Sequence, residues 1–135
     1  MIIQSTTITP EIQKWIDDGF AEYNAANGYT RTQEAFCYEM QRDGQRIGVA
    51  NGEFSGGWCY LSGLMVAPEW RRKGVGGQLL QYVELEAQKR KAIGVYMNTF
   101  TLEAPAFYEK HGYEKFGELN PFANAMRIYY KKMFK

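Results

Sequence analysis

The sequence predicts an α+β fold: a mixed, mostly antiparallel central sheet with a βαβ crossover and helices on both faces. Three observations carry this. Residues 35–66 alternate β-rich runs with tight turns, as an antiparallel meander does. Residues 74–91 switch to helical spacing. A further β-rich run at 93–99 then completes a strand–helix–strand crossover, which makes 58–66 and 93–99 parallel neighbours.

Taken in order, residues 2–8 read as an opening strand. Thr9-Pro10-Glu11 marks a helix start: an N-cap, a proline at the first position and an acid against the positive end of the dipole. Ile12, Trp15, Ile16, Phe20 and Tyr23 follow on one face, and Asn27-Gly28 ends the helix. Strands are expected at 35–42, 45–54 and 58–66. Asp43-Gly44 supplies a two-residue hairpin turn, and Ser55-Gly56-Gly57 supplies the next turn. In the long helix, Val75, Leu79, Leu80, Val83 and Ala87 form the apolar face, and Gly94 is expected to close it. Residues 102–111 read as a short helix capped by Gly112. Strands from Tyr113 to about Glu118 and from Met126 to Lys132 finish the sheet.

The 135 residues fit one domain, 1–135, with no linker or repeat. Sixteen basic and 15 acidic residues leave a net charge of +1, too little to gather nucleic acid or an anionic membrane. No run is long and apolar enough for a membrane span, and the N-terminus lacks a signal-peptide pattern, so a cytoplasmic location is expected. The two cysteines, Cys37 and Cys59, lack metal-ligand spacing and read as reduced, half-buried thiols; no metal site is expected.

The chemistry concentrates where the third strand gives way to the long helix, in Leu64-Met65-Val66-Ala67-Pro68-Glu69-Trp70-Arg71-Arg72-Lys73-Gly74-Val75-Gly76-Gly77. Pro68 ends the strand by removing a ladder donor. Glycines at a helix opening let a ligand approach the free N–H groups of the first turn, which carry partial positive charge. Arg71, Arg72 and Lys73 add formal charge. The bland alternative is a flexible loop or close helix–sheet packing, with solvated cations. The run lacks the Gly-Lys-Ser/Thr ending of a P-loop and the third glycine of the dinucleotide fingerprint.

Arg71-x-x-Gly74-x-Gly76 resembles the Arg/Gln-x-x-Gly-x-Gly/Ala signature of the GNAT acetyltransferases, and Leu64-Met65-Val66-Ala67-Pro68 resembles their pantetheine-binding strand. A second block, Ala104-Pro105-Ala106-Phe107-Tyr108-Glu109-Lys110-His111-Gly112-Tyr113, is similar to the family's Ala…Phe-Tyr-x-Lys-x-Gly-Phe/Tyr block, in the family's order. Tyr23-Asn24-Ala25-Ala26 and Asn98-Thr99-Phe100 resemble a small bacterial subgroup. There Asp stands at Asn98 and Gln at Glu103, which leaves carboxylate roles open.

The resemblance implies acetyl-CoA as co-substrate and a primary amine, on a small molecule or peptide, as acceptor, joined by direct attack in a ternary complex. It implies that Met65 and Val66 pair their backbone with pantetheine, and that backbone N–H groups of Arg72, Lys73, Gly74, Val75, Gly76 and Gly77 hold the pyrophosphate. Arg71 either touches the ligand, or pairs with a nearby carboxylate or anchors the loop. Asn98 either bonds the pantetheine arm or substrate, or caps a turn. Tyr108 is the candidate general acid for the leaving thiolate, since a tyrosine hydroxyl titrates near ~10 like a thiol; the competing reading is a core aromatic. A backbone N–H near Val66, freed by a splay or bulge, would meet the developing oxyanion, and Gly63 marks a kink in that strand. Glu53, Glu103, Tyr60, Ser62 and a water chain stay open as the base. His111 reads as a polar residue at a helix end. Trp15, Tyr23, Tyr29, Trp58, Tyr60 and Phe122 are candidates for the acceptor pocket. Within the same family, a toxin acting on aminoacyl-tRNA is disfavoured by the low net charge. A non-catalytic acyl-CoA-binding module and a homodimer built on exposed edge strands are the other expectations.

Overall fold

The computed structural model describes residues 1–100, 105–122 and 125–135, without the side chains of 121 and 122. It forms two compact units, Met1–Thr32 and Gln33–Lys135.

The first unit holds one helix, α1 (Pro10–Ala26). Thr9 caps it as expected: its hydroxyl accepts from the Ile12 N–H at 3.1 Å. Pro10 opens the helix, and Gly28 leaves it with φ of 73°. Residues 2–8 form no strand, contrary to the expectation. β-propensity measures how well a side chain fits a pleated surface, and a segment with no partner strand has nothing to fit.

The second unit is a six-stranded sheet. Its strands are β1 (Gln33–Arg42), β2 (Gln45–Ser55), β3 (Trp58–Val66), β4 (Gly94–Phe100), β5 (Glu114–Phe122) and β6 (Ala125–Met133), in the order β1-β2-β3-β4-β6-β5. Among the described residues only the β3–β4 pair is parallel, and the crossover helix α2 (Val75–Lys89) joins them. Asp43 (φ 51°) and Gly44 (φ 77°) both turn left-handed, the geometry that a two-residue hairpin between twisted strands needs.

α2 buries Val75, Leu79, Leu80, Val83 and Ala87, the five residues its periodicity singles out. They lie on the sheet face lined by Cys59, Leu61, Val95, Met97, Ile128 and Tyr130. The helix comes so close to β2 that a Cβ on Gly48 would stand 2.7 Å from Leu79 Cδ1. Gly94 does not close α2. Arg90 caps the helix, Lys91 takes the left-handed turn at φ of 58°, and Gly94 opens β4. A side chain on Gly94 would meet the Lys132 carbonyl at 2.3 Å, so glycine serves strand packing there.

A second helix, α3 (Pro105–Lys110), lies beside α2 on the same face. Gly112 follows it at φ of 89°. The expected start of that helix, with Glu103 and Ala104, lies outside the described residues, as does the Phe122 side chain. The cysteines differ from expectation: Cys37 is exposed and Cys59 fully buried. Among the described residues no helix is long and apolar enough to cross a membrane.

Candidate active site

β3 and β4 pair at Cys59–Val95 and Tyr60–Tyr96, and no further. Beyond Tyr60, β3 keeps its β2 partners through Val66, while β4 keeps its β6 partners through Phe100. Residues 61–66 therefore leave backbone groups on the β4 side without strand partners. The result is a slot between two strands, closed at the Tyr60–Tyr96 end. β3 is irregular at this point. Asn51 opposes Gly63 but Gly52 opposes Leu61, so Ser62 is the extra residue of a bulge. Gly63 is the kink anticipated from its place in a strand, and a Cβ there would lie 2.6 Å from Asn51 Oδ1.

The slot leads to the charged loop. After β3, a 3₁₀ turn (Pro68–Trp70) is followed by residues 71–74 and then α2. Arg72 (φ 59°) and Gly74 (φ 86°) are both left-handed, which curls the backbone into a concave turn. Gly74 caps α2 without a side chain, and no acid lies in the first turn, so its N–H groups and positive dipole end are left for an external anion. Arg71 folds back: its Nε donates to the Val66 carbonyl at 3.0 Å and Nη2 lies 3.6 Å from Met65 Sδ. It braces the loop against β3. Arg42, from the end of β1, and Lys73 stand 5.3 and 5.2 Å from the centre of the Trp70 ring.

The three glycines act differently from one another. Gly74 has open space around it. A Cβ on Gly76 would meet the Phe107 ring at 3.3 Å and Val66 Cγ2 at 3.6 Å, and one on Gly77 would meet His111 Cε1 at 3.0 Å. Gly76 and Gly77 thus let α3 approach α2, and join the two sequence blocks in space. His111 is more than a polar helix end: its ring rests on Gly77 and lies 4.7 Å from that of Phe107.

Tyr108 is buried, with its ring among Phe107, Tyr113 and Tyr130. Its helix is tied down by contacts that the sequence does not reveal. Tyr130 donates to Glu109 at 2.8 Å, and Lys132 donates to the His111 carbonyl and to Glu84 at 3.1 Å each. Tyr113 donates to Glu84 at 2.8 Å, and burial, then Glu84, holds its hydroxyl far above the usual range.

Asn98 projects from β4 to the sheet face away from α2 and α3. Its Nδ2 donates to the Tyr60 hydroxyl at 3.2 Å, bridging the two strands where the slot begins. Trp58 and Tyr60 share that face with Tyr96, which sequence reasoning missed. Its ring lies 6.1 Å from Trp58 and 5.0 Å from Tyr60. The period of two in Trp58-x-Tyr60 and Tyr96-x-Asn98 is the signal that links them. Trp15, Tyr23 and Tyr29 belong to the first unit.

A family model described as the acetyltransferase (GNAT) domain matches residues 33–115, more than half of the chain. The chain belongs to the GNAT acetyltransferases. It is therefore an acyltransferase with acetyl-CoA as its co-substrate. The acetyltransferase Atu2258 of Agrobacterium fabrum is 29% identical over 127 residues, 93% of each chain. The crystal structure of an Agrobacterium tumefaciens acetyltransferase has a TM-score of 0.85 at 28% identity, covering 99% of each chain. A streptothricin acetyltransferase structure from Bacillus anthracis, in complex with acetyl coenzyme A, shares the fold at a TM-score of 0.69 and 23% identity, covering 75% of this chain and 64% of its own.

Proposed function

We propose that this GNAT enzyme is an N-acetyltransferase that passes the acetyl group to a primary amine by direct attack in a ternary complex. The slot between β3 and β4 carries this reading. One end meets the α2 N-terminus, which has no side-chain cap, and the other closes where Tyr60 pairs with Tyr96, beside Asn98. The residues present fit acetyl-CoA: an anion cradle, an unpaired strand edge and a polar bridge at the closed end stand in line.

Backbone N–H groups of Arg72, Lys73, Gly74, Val75, Gly76 and Gly77 hold the pyrophosphate, with Arg71 positioning the loop. Met65 and Val66 pair with the pantetheine amides, as a strand edge pairs with an extended peptide. Asn98 lines the opposite wall. Bound here, acetyl-CoA supplies the activated thioester. An N–H freed by the Ser62 bulge, closer to the slot's closed end than Val66, donates to the developing oxyanion. As the amine nitrogen forms its C–N bond and the C–S bond breaks, Tyr108 would give its hydroxyl proton to the departing sulfur. The proton shed by the amine passes to water, from which the Tyr108 hydroxyl is restored. No cysteine nucleophile is required: Cys59 is sealed in the core, and burial pushes its thiol up to about 12.

Thiol release from acetyl-CoA, followed across a panel of amines, peptides and aminoglycosides, tests the reading. Thiol and N-acetylated product are expected one for one. Thiol release that ignores the amine, or silence across the panel with cofactor bound, counts against it.

A further inference from the structure

The sheet face away from α2 and α3 carries a group of side chains that acetyl transfer leaves unexplained. Trp58, Tyr60 and Tyr96 form a continuous, half-buried aromatic row, with centroids 6.1 and 5.0 Å apart. Glu53, half-buried on β2, is the cross-strand partner of Tyr60, so its carboxylate stands beside the row on the same face. Gln33 donates to Glu53 Oε2 at 2.7 Å, and Oε1 has no hydrogen bond among the described residues. Burial, then Tyr60 and Glu53, raises the Tyr96 hydroxyl above its usual range, so that ring stays neutral. Two cations on the neighbouring strand are turned elsewhere. Lys131, opposite Tyr96, lies over Phe116, and Arg127, opposite Phe100, lies over Phe100 itself.

A carboxylate beside neutral aromatic faces attracts a cation and gives an anion nothing. The row begins where the slot ends. Tyr96 and Asn98 are two residues apart on one strand, a separation of about 7 Å at the usual rise per residue. We propose that Glu53 and the Trp58–Tyr96–Tyr60 row bind a second ammonium of a diamine acceptor, while its reacting nitrogen lies at the Tyr60–Asn98 bridge. This rests on the acetyltransferase reading above and names its substrate class: small, aliphatic and at least dicationic. Acceptors bearing a carboxylate near the amine are disfavoured by Glu53.

Calorimetric titration of the full chain, with CoA present, by 1,4-diaminobutane and by n-butylamine tests this without turnover. Wild type is expected to bind the diamine at least about tenfold more tightly than the monoamine. Glu53→Gln and Tyr96→Leu should each remove most of that preference and leave CoA binding unchanged, which also shows that the variants fold. Equal binding of the two amines, no binding of the diamine at millimolar concentration, or an unaltered preference in Glu53→Gln would overturn the proposal. Failure of CoA itself to bind the wild type would instead remove the cofactor reading beneath it.

Discussion

Replacing Gly77 with alanine puts a methyl group into the contact between α2 and α3. Its Cβ would stand 3.0 Å from His111 Cε1 and 3.3 Å from Nε2. Two effects oppose each other. Alanine in a helix gains about 0.5–1 kcal/mol over glycine through backbone entropy. Overpacking costs about 1–3 kcal/mol when the neighbour has little room to move. His111 is half-buried with Phe107 against its other side, so overpacking should win, for a net loss of about 1 kcal/mol. In a His111→Ala background the obstacle is gone and Gly77→Ala should stabilise. The cycle of four proteins, unfolded in urea without ligand, should therefore show a coupling of about 1–2 kcal/mol. Equal effects of Gly77→Ala in both backgrounds would refute the claim that this glycine exists to seat the histidine.

CoA should raise the melting temperature well beyond pantetheine, because only CoA carries the pyrophosphate for the α2 N-terminus; equal shifts would remove the cradle. Tyr108→Phe should lower kcat by about 10²-fold with little change in CoA affinity, and an unchanged kcat would leave Tyr108 a core aromatic. A thiol reagent should modify exposed Cys37 quickly in the native protein and Cys59 only on unfolding, seen as one fast equivalent and one that needs denaturant. Arg90 hydrogen bonds hold the Glu34 and Glu86 carboxyls below the usual range. Depressed folded values mean that this stabilisation is present above the ~4.3 of a free glutamate and is lost as pH falls through the folded values. The urea midpoint should fall over that acid range, and less steeply in Arg90→Gln.

Much of this was legible in the sequence because periodicity and turn chemistry are local. Asp43-Gly44 required left-handed backbone, and the spacing of Val75, Leu79, Leu80, Val83 and Ala87 could only be a buried helical face. Gly63 was legible as a kink because a strand interior rarely gains from glycine. What was hidden depends on distant contacts. Gly76 and Gly77 looked like ligand glycines, and only the packing of Phe107 and His111 against them shows their second use. Gly94 looked like a helix stop because α2 and β4 adjoin in sequence, whereas the Lys132 carbonyl that demands glycine comes from β6. Arg42 reaches the charged loop from β1, and no spacing rule links it to Trp70. Residues 2–8 mislead in the opposite direction: strand-like composition with no strand to join.

The central claim is that the acyl carrier lies in the slot between β3 and β4, along the unpaired edge of residues 61–66. Backbone hydrogen exchange, read segment by segment with and without saturating CoA, tests it most directly. Exchange at residues 61–66 and in the first turn of α2 should slow on CoA addition, while β1 at the sheet edge should stay as it was. Unchanged exchange across 61–66 with CoA demonstrably bound would place the cofactor elsewhere and contradict the account.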